Sequence, residues 1–137
     1  MSAELSAELK ALLDTPVFIT VATIQPDGSP QVSPVWVKRD PENGDALLFS
    51  TTLGRQKEKN LRRDPRLSVV VQPFDAPYSY AEIRGTAELT EEGGQELIDE
   101  LALKYVGKKY AEFNANAAQD APRVVVRVTP RKVVGRI

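Results

Sequence analysis

Ser50, Thr51, Arg55 and Lys57 are the residues of this sequence whose types and spacing suit a definite chemistry, the binding of an anion. Two hydroxyls end a run that reads as a strand, and a basic segment, 55–63, follows directly. At such a junction the free N–H groups of a helix N-terminus, the helix dipole and nearby cations all favour a phosphate. Five of the nine residues from Arg55 to Arg63 are Lys or Arg and only Leu61 is apolar, so this helix is expected to bury almost nothing. Packing then gives no reason for its presence, whereas cradling the phosphate of a nucleotide-like cofactor does. Two plainer readings stand beside it. The charges would form a solvated helix face with Glu58 and Arg62 as an exposed i,i+4 pair, and the hydroxyls would be simple N-caps.

Composition narrows the chemistry further. The 137 residues contain no Cys and no His, which removes thiolate nucleophiles, Ser-His-Asp catalysis and imidazole or thiolate metal ligands. Any redox step must then be carried by a bound organic cofactor. A net charge of −1 argues against a general nucleic-acid binder. No apolar run approaches the roughly 20 residues of a membrane span, and residues 1–4 lack the basic and apolar regions of a secretory signal. The expectation is a cytoplasmic protein folded as one domain over 1–137.

The remaining elements must position those residues. Leu5, Leu9, Leu12 and Leu13 share one face of a helix over 2–13, stopped by Pro16. β-branched residues over 17–24 predict a strand, Pro26-Asp27-Gly28 a turn, and the alternation over 31–38 a second strand. Further strands are expected at 46–50, 66–72, 80–89 and 124–128, with a seventh at 133–137. Gly85 marks a bulge or a close backbone approach. Thr90 is expected to cap a helix bearing Leu97, Ile98, Leu101, Leu103 and Val106. Six or seven short antiparallel strands with peripheral helices predict a small closed barrel, because closure removes exposed edges. Side chains fill a barrel of this size, so a flat cofactor would lie outside it, in a groove between two copies.

With these elements in place, several stretches resemble the split β-barrel family of pyridoxamine 5′-phosphate oxidase and its flavin and deazaflavin reductases. They are Thr20-Val21-Ala22-Thr23, the run from Asp27 to Trp36, Phe49-Ser50-Thr51, the run from Lys57 to Arg66, and Gly85-Thr86-Ala87. The segment 57–66 resembles the subgroup that uses coenzyme F420, an 8-hydroxy-5-deazaflavin with a phospholactyl-polyglutamate tail. The resemblance implies a homodimer of split barrels with cofactor at the interface, acting on a small-molecule substrate. Ser50, Thr51, Arg55 and Lys57 would hold the phosphate, and Gln31, Ser33 and Val35 would run beneath the ring. Asn60 and Arg63 would lie along the tail, and Tyr78 and Tyr80 of the partner copy would flank the ring or substrate.

From the residues alone, Gln31 and Ser33 equally suit outward positions of a half-exposed strand, and Tyr78 and Tyr80 unremarkable surface aromatics. Trp36 reads as a core or interface anchor rather than a stacking partner. Arg123, Arg127, Arg131, Lys132 and Arg136 read as the polar side of alternating strands, with attraction of an anionic tail as the alternative. The implied activity is hydride transfer from reduced F420 to a quinone, a tetrapyrrole such as biliverdin, an enone or a nitroaromatic. An FMN enzyme of the same fold and a non-catalytic flavin or deazaflavin carrier are the alternatives. The family has no fixed catalytic acid, so no catalytic side chain is named.

Overall fold

The computed structural model describes residues 3–135 and 137; Arg136 and the first two residues lie outside them. Seven antiparallel strands form one curled sheet: β1 (Ile19–Ile24), β2 (Pro30–Val35), β3 (Lys38–Asp40), β4 (Ala46–Thr52), β5 (Arg66–Val71), β6 (Ala81–Thr90) and β7 (Arg123–Gly135). Their order is β2-β1-β5-β6-β7-β4-β3. β2 and β3 are therefore the two edges of the sheet although only Trp36 and Val37 separate them in sequence. A two-residue link spans about 10 Å at most, so the sheet must curl until its edges approach. This is the split barrel. The expectation of one strand over 31–38 is corrected, because the chain crosses here from one edge to the other. Full closure is corrected with it: β2 pairs only with β1, and β3 only with β4.

Alternating burial along β1, β5 and β6 puts Ile19, Val21, Val69, Val71 and Ile83 inside. The two strands expected at 124–128 and 133–137 are one continuous strand, β7. Pro130 interrupts its donors, but a register shift opposite Arg84 and Gly85 absorbs the fault. The expected close approach at Gly85 is present, since a Cβ there would lie 2.4 Å from the Thr129 carbonyl oxygen.

Helix α1 (Ala7–Leu13) plugs one end of the barrel. It starts later than expected, at the Ser6 cap, whose hydroxyl accepts the Leu9 N–H at 3.1 Å. Leu9 and Leu13 are fully buried, worth roughly 1.5–3 kcal/mol each. Helix α3 (Gly94–Val106) lies outside, with Leu97 and Leu101 against Leu48 and Val125. Its cap is Gly93, not Thr90, which ends β6 and accepts the Glu92 N–H. Leu103 points to solvent, against expectation. The short helix α4 (Tyr110–Phe113), which the sequence reading left unassigned, follows it.

Candidate functional site

Helix α2 (Gln56–Arg63) sets the site, and it contradicts the expectation that so polar a segment cannot pack. Lys57, Glu58, Asn60 and Leu61 are all buried. Each polar member is met by a specific partner. Asn60 donates to Thr23 Oγ1 at 3.0 Å and accepts from Gln56 Nε2 at 2.8 Å, while Thr23 donates to Gln31 Oε1 at 3.0 Å. Glu58 accepts the Gly54 N–H at 2.8 Å and pairs with Arg62. The Gly54 N–H first, and Arg62 second, hold the Glu58 carboxyl below its ordinary range despite burial. The expected Glu58–Arg62 pair exists, then, with its carboxylate inside rather than on a solvated face. Hydrogen bonds, among them that of Asn60 to Thr23 on β1, hold this helix to the sheet together with Leu61, which is buried in the core.

What this docking leaves over is a cation. Lys57 Nζ donates to Ser33 Oγ at 2.8 Å and lies 6.0 Å from the centre of the Phe49 ring. Among the described residues no carboxylate pairs with it. Burial, with the Arg55 charge added, pushes its pKa down from 10.5 to about 8. Arg55 stands at the N-cap position and donates through Nε to Thr52 Oγ1 at 2.9 Å. In the same cavity lining the Ser50 and Thr51 hydroxyls are buried and have no hydrogen-bond partner among the described residues. A buried hydroxyl without a partner costs about 1–3 kcal/mol, which a bound anion would return. Ser50, Thr51, Arg55 and Lys57 all line one cavity of about 230 Å³. They fit a phosphate-bearing group, and among the described residues no acidic side chain lines the cavity with them.

The other anticipated residues are distributed differently. Val35 lines the cavity and Ser33 reaches it through Lys57. Gln31 is engaged with Thr23 away from it, and Asn60 is fully buried in the network described above, so both serve the docking of α2. Arg63 donates to the Ile24 carbonyl at the far end of α2. Tyr78 and Tyr80 are exposed and outside this cavity. The sequence reading missed an aromatic wall made by Phe18, Trp36, Tyr110 and Phe113. Trp36 stacks on Tyr105, ring centres 5.3 Å apart, and sits 5.6 Å from Phe113. Tyr110 and Phe113, three apart on one helix face, were the available signal.

The sequence profile of pyridoxamine 5′-phosphate oxidase matches residues 5–136. The chain belongs to that family. Among solved structures it is similar to an F420 reductase, with 30% identity over 95% of this chain and 98% of the other and a TM-score of 0.80. A conserved hypothetical protein of Mycobacterium tuberculosis is 27% identical over 98% of this chain and 85% of its own, with a TM-score of 0.76. The heme storage protein of Vibrio cholerae shares the fold alone, at 15% identity and a TM-score of 0.69 over 97% and 95% of the two chains. Family membership accounts for the split barrel and for the segments on which the resemblance rested. Among the described residues no helix is long and apolar enough to cross a membrane.

Proposed function

We propose that this protein is a cytoplasmic oxidoreductase that uses coenzyme F420, bound at the seam of a homodimer, to reduce a conjugated organic acceptor. Quinones, tetrapyrroles such as biliverdin, enones and nitroaromatics are the acceptor classes. The observation that carries the proposal is that Ser50 and Thr51, whose hydroxyls have no partner among the described residues, share a cavity lining with Arg55 and Lys57 and with no acidic residue among those described. Similarity to the F420 reductase supports a deazaflavin rather than another phosphate-bearing group. Bound there, the reduced deazaflavin would supply a hydride, with the accompanying proton coming from water.

The chain's own side chains bind and orient. Lys57 and Arg55 neutralise the phosphate, and Ser50 and Thr51 donate to its oxygens. Val35 and the Trp36 side of the cavity offer an apolar wall that excludes water from a ring. Phe18 lines that cavity while 57% exposed, and Val32 on edge strand β2 is 58% exposed. A second copy would cover such surfaces and bring its own Tyr78 and Tyr80 toward the groove. Fluorescence titration with F420 and FMN side by side tests the cofactor. Preferential F420 binding followed by oxidation of the reduced coenzyme on adding an acceptor is the expected result. FMN preference would transfer the site to a flavin enzyme. Tight binding without turnover across the acceptor panel would make the protein a carrier.

A further inference from the structure

The ladder between β1 and β2 ends at the pair Ile19 and Val35. Continuing its register would set Phe18 opposite Trp36 and Val17 opposite Val37. The next rung would then be the Val37 N–H given to the Val17 carbonyl. Instead the Tyr105 hydroxyl, from α3, stands in its place, accepting the Val37 N–H at 3.0 Å and donating to the Val17 carbonyl. Burial holds this hydroxyl above its ordinary pKa, so it keeps the proton that it donates. Two hydrogen bonds in series replace one, which spreads the two chains by up to about 3 Å. The spread falls where Trp36 must turn away from β1 and lead toward the opposite edge of the sheet.

The Tyr105 ring touches both residues framed by that rung. Phe18 meets it nearly edge-on, with centres 5.6 Å apart and planes at 76°, and Trp36 stacks on it at 5.3 Å and 13°. Phe18 and Trp36 line the cavity, whereas Tyr105 stands behind them and does not. Neither belongs to a strand, since Phe18 precedes β1 and Trp36 lies in the link to β3, so ladder hydrogen bonds do not fix them. Trp36 passes the constraint onward to Tyr110 and Phe113, whose ring centres lie 6.5 and 5.6 Å from its own. The Arg123 guanidinium lies 4.5 Å from the Tyr110 ring centre and lines the same cavity, rather than the solvated strand face its sequence neighbourhood suggests.

We propose that Tyr105 is a positioning residue for this cavity: its hydroxyl holds the β1–β2 ladder open at its last rung, and its ring seats Phe18 and Trp36 as one wall. The inference deepens the proposed function and, for its effect on binding, rests on reading that wall as the cover of a cofactor ring.

Tyr105→Phe removes the hydroxyl and keeps the ring. Without the wedge the Val37 N–H and the Val17 carbonyl are free to pair directly, and Trp36 moves with them. Trp36 is the only tryptophan, so the ligand-free full chain reports the move. Its near-UV circular dichroism band should weaken and its quenching by acrylamide should rise. Affinity for F420 should fall about three- to tenfold. In a Trp36→Leu background the same substitution should cost at most about twofold, because the residue through which the hydroxyl acts is gone. A Phe18→Leu background offers the same comparison where Trp36→Leu binds too weakly to measure. A merely structural hydroxyl would lower the unfolding free energy in urea and leave the Trp36 signals and the affinity of the folded protein as in the wild type.

Unchanged Trp36 signals, unchanged F420 affinity, or an equal loss in both backgrounds would overturn the inference. If the wild type binds neither F420 nor FMN, the proposed cofactor falls, and the Trp36 signals of Tyr105→Phe alone decide whether the wedge sets the wall.

Discussion

Lys57, which is buried, and Lys104, which is half-buried, each have a pKa pushed down to about 8 by burial, with Asp14 pulling that of Lys104 partly back up, and among the described residues neither forms a salt bridge. Their surroundings differ. Lys104, on α3, donates to the Leu13 carbonyl at 2.7 Å and the Val37 carbonyl at 2.6 Å, and lies 5.0 Å from the Tyr105 ring centre. It ties α3 to the end of α1 and to the link between β2 and β3. Tyr105 reinforces the same link, donating to the Val17 carbonyl and accepting the Val37 N–H at 3.0 Å. Lys57 has one hydroxyl, from Ser33, and lines a cavity together with Ser50 and Thr51, whose hydroxyls have no partner among the described residues. One ammonium has two carbonyl acceptors committed to it by the fold; the other has a single hydroxyl. Burial of a charge by itself does not distinguish a structural group from a binding group. The number of acceptors already committed to it does.

The largest contrast should come from deleting each lysine in turn. Lys57→Ala is expected to weaken F420 binding by about 1.5–3 kcal/mol, roughly 10- to 150-fold, with little change in unfolding free energy. Hydride transfer in a saturated complex should change far less, and single-turnover kinetics showing the reverse would contradict the assignment. Lys104→Met should do the opposite. It strands the buried Leu13 carbonyl, at about 1–3 kcal/mol, leaves the Val37 carbonyl only a 3.4 Å contact with the Tyr105 hydroxyl, and should lower stability in urea titration while leaving cofactor affinity nearly intact.

Titration with pH sharpens the same contrast. A bound anion favours the charged form of Lys57, so the complex keeps a proton that the free protein gives up above about pH 8. Affinity should be flat below that pH and fall as pH rises through it. Lys57→Ala should abolish the fall, and Lys104→Met should preserve it. Stability of the free protein runs the other way. Between about 8 and 10.5 the unfolded chain holds protons on both lysines that the folded chain has lost, so unfolding free energy should rise with pH across that window. The smallest effect is expected from Thr51→Val, which should cost about 0.5–1.5 kcal/mol of cofactor affinity and leave stability unchanged or slightly higher, since a partnerless hydroxyl is removed. Isothermal calorimetry beside urea unfolding checks both halves.

The residues proposed for the cradle could be picked out before any coordinates because they are contiguous: Ser50, Thr51, Arg55 and Lys57 lie within one strand–turn–helix segment, and the structure brings all four to one cavity. Gln31 and Asn60 illustrate the limit. Their residue types suit ligand contacts equally well, and only the Thr23 bridge between them reveals that they anchor α2 to the sheet. The aromatic wall was out of reach for a different reason. Trp36, Tyr110 and Arg123 belong to three elements far apart in sequence and meet only because β4 pairs with β7 and α3 packs over both.

Strand periodicity, turn chemistry at 25–28 and the absence of His and Cys were fixed by the residues themselves, since each depends on local backbone preference or side-chain chemistry. So was the strand–turn–helix run of hydroxyls and cations at 50–57 on which the anion-binding proposal rests. The tertiary structure alone decided that the 31–38 run breaks at Trp36 to join opposite edges of the sheet, and that a helix this polar is buried. It also decided that, of five basic residues on 55–63, only two turn toward the cavity, where Arg123 joins them. Those outcomes depend on which hydrogen-bond partners stand across the space between elements, and a one-dimensional sequence does not contain that space.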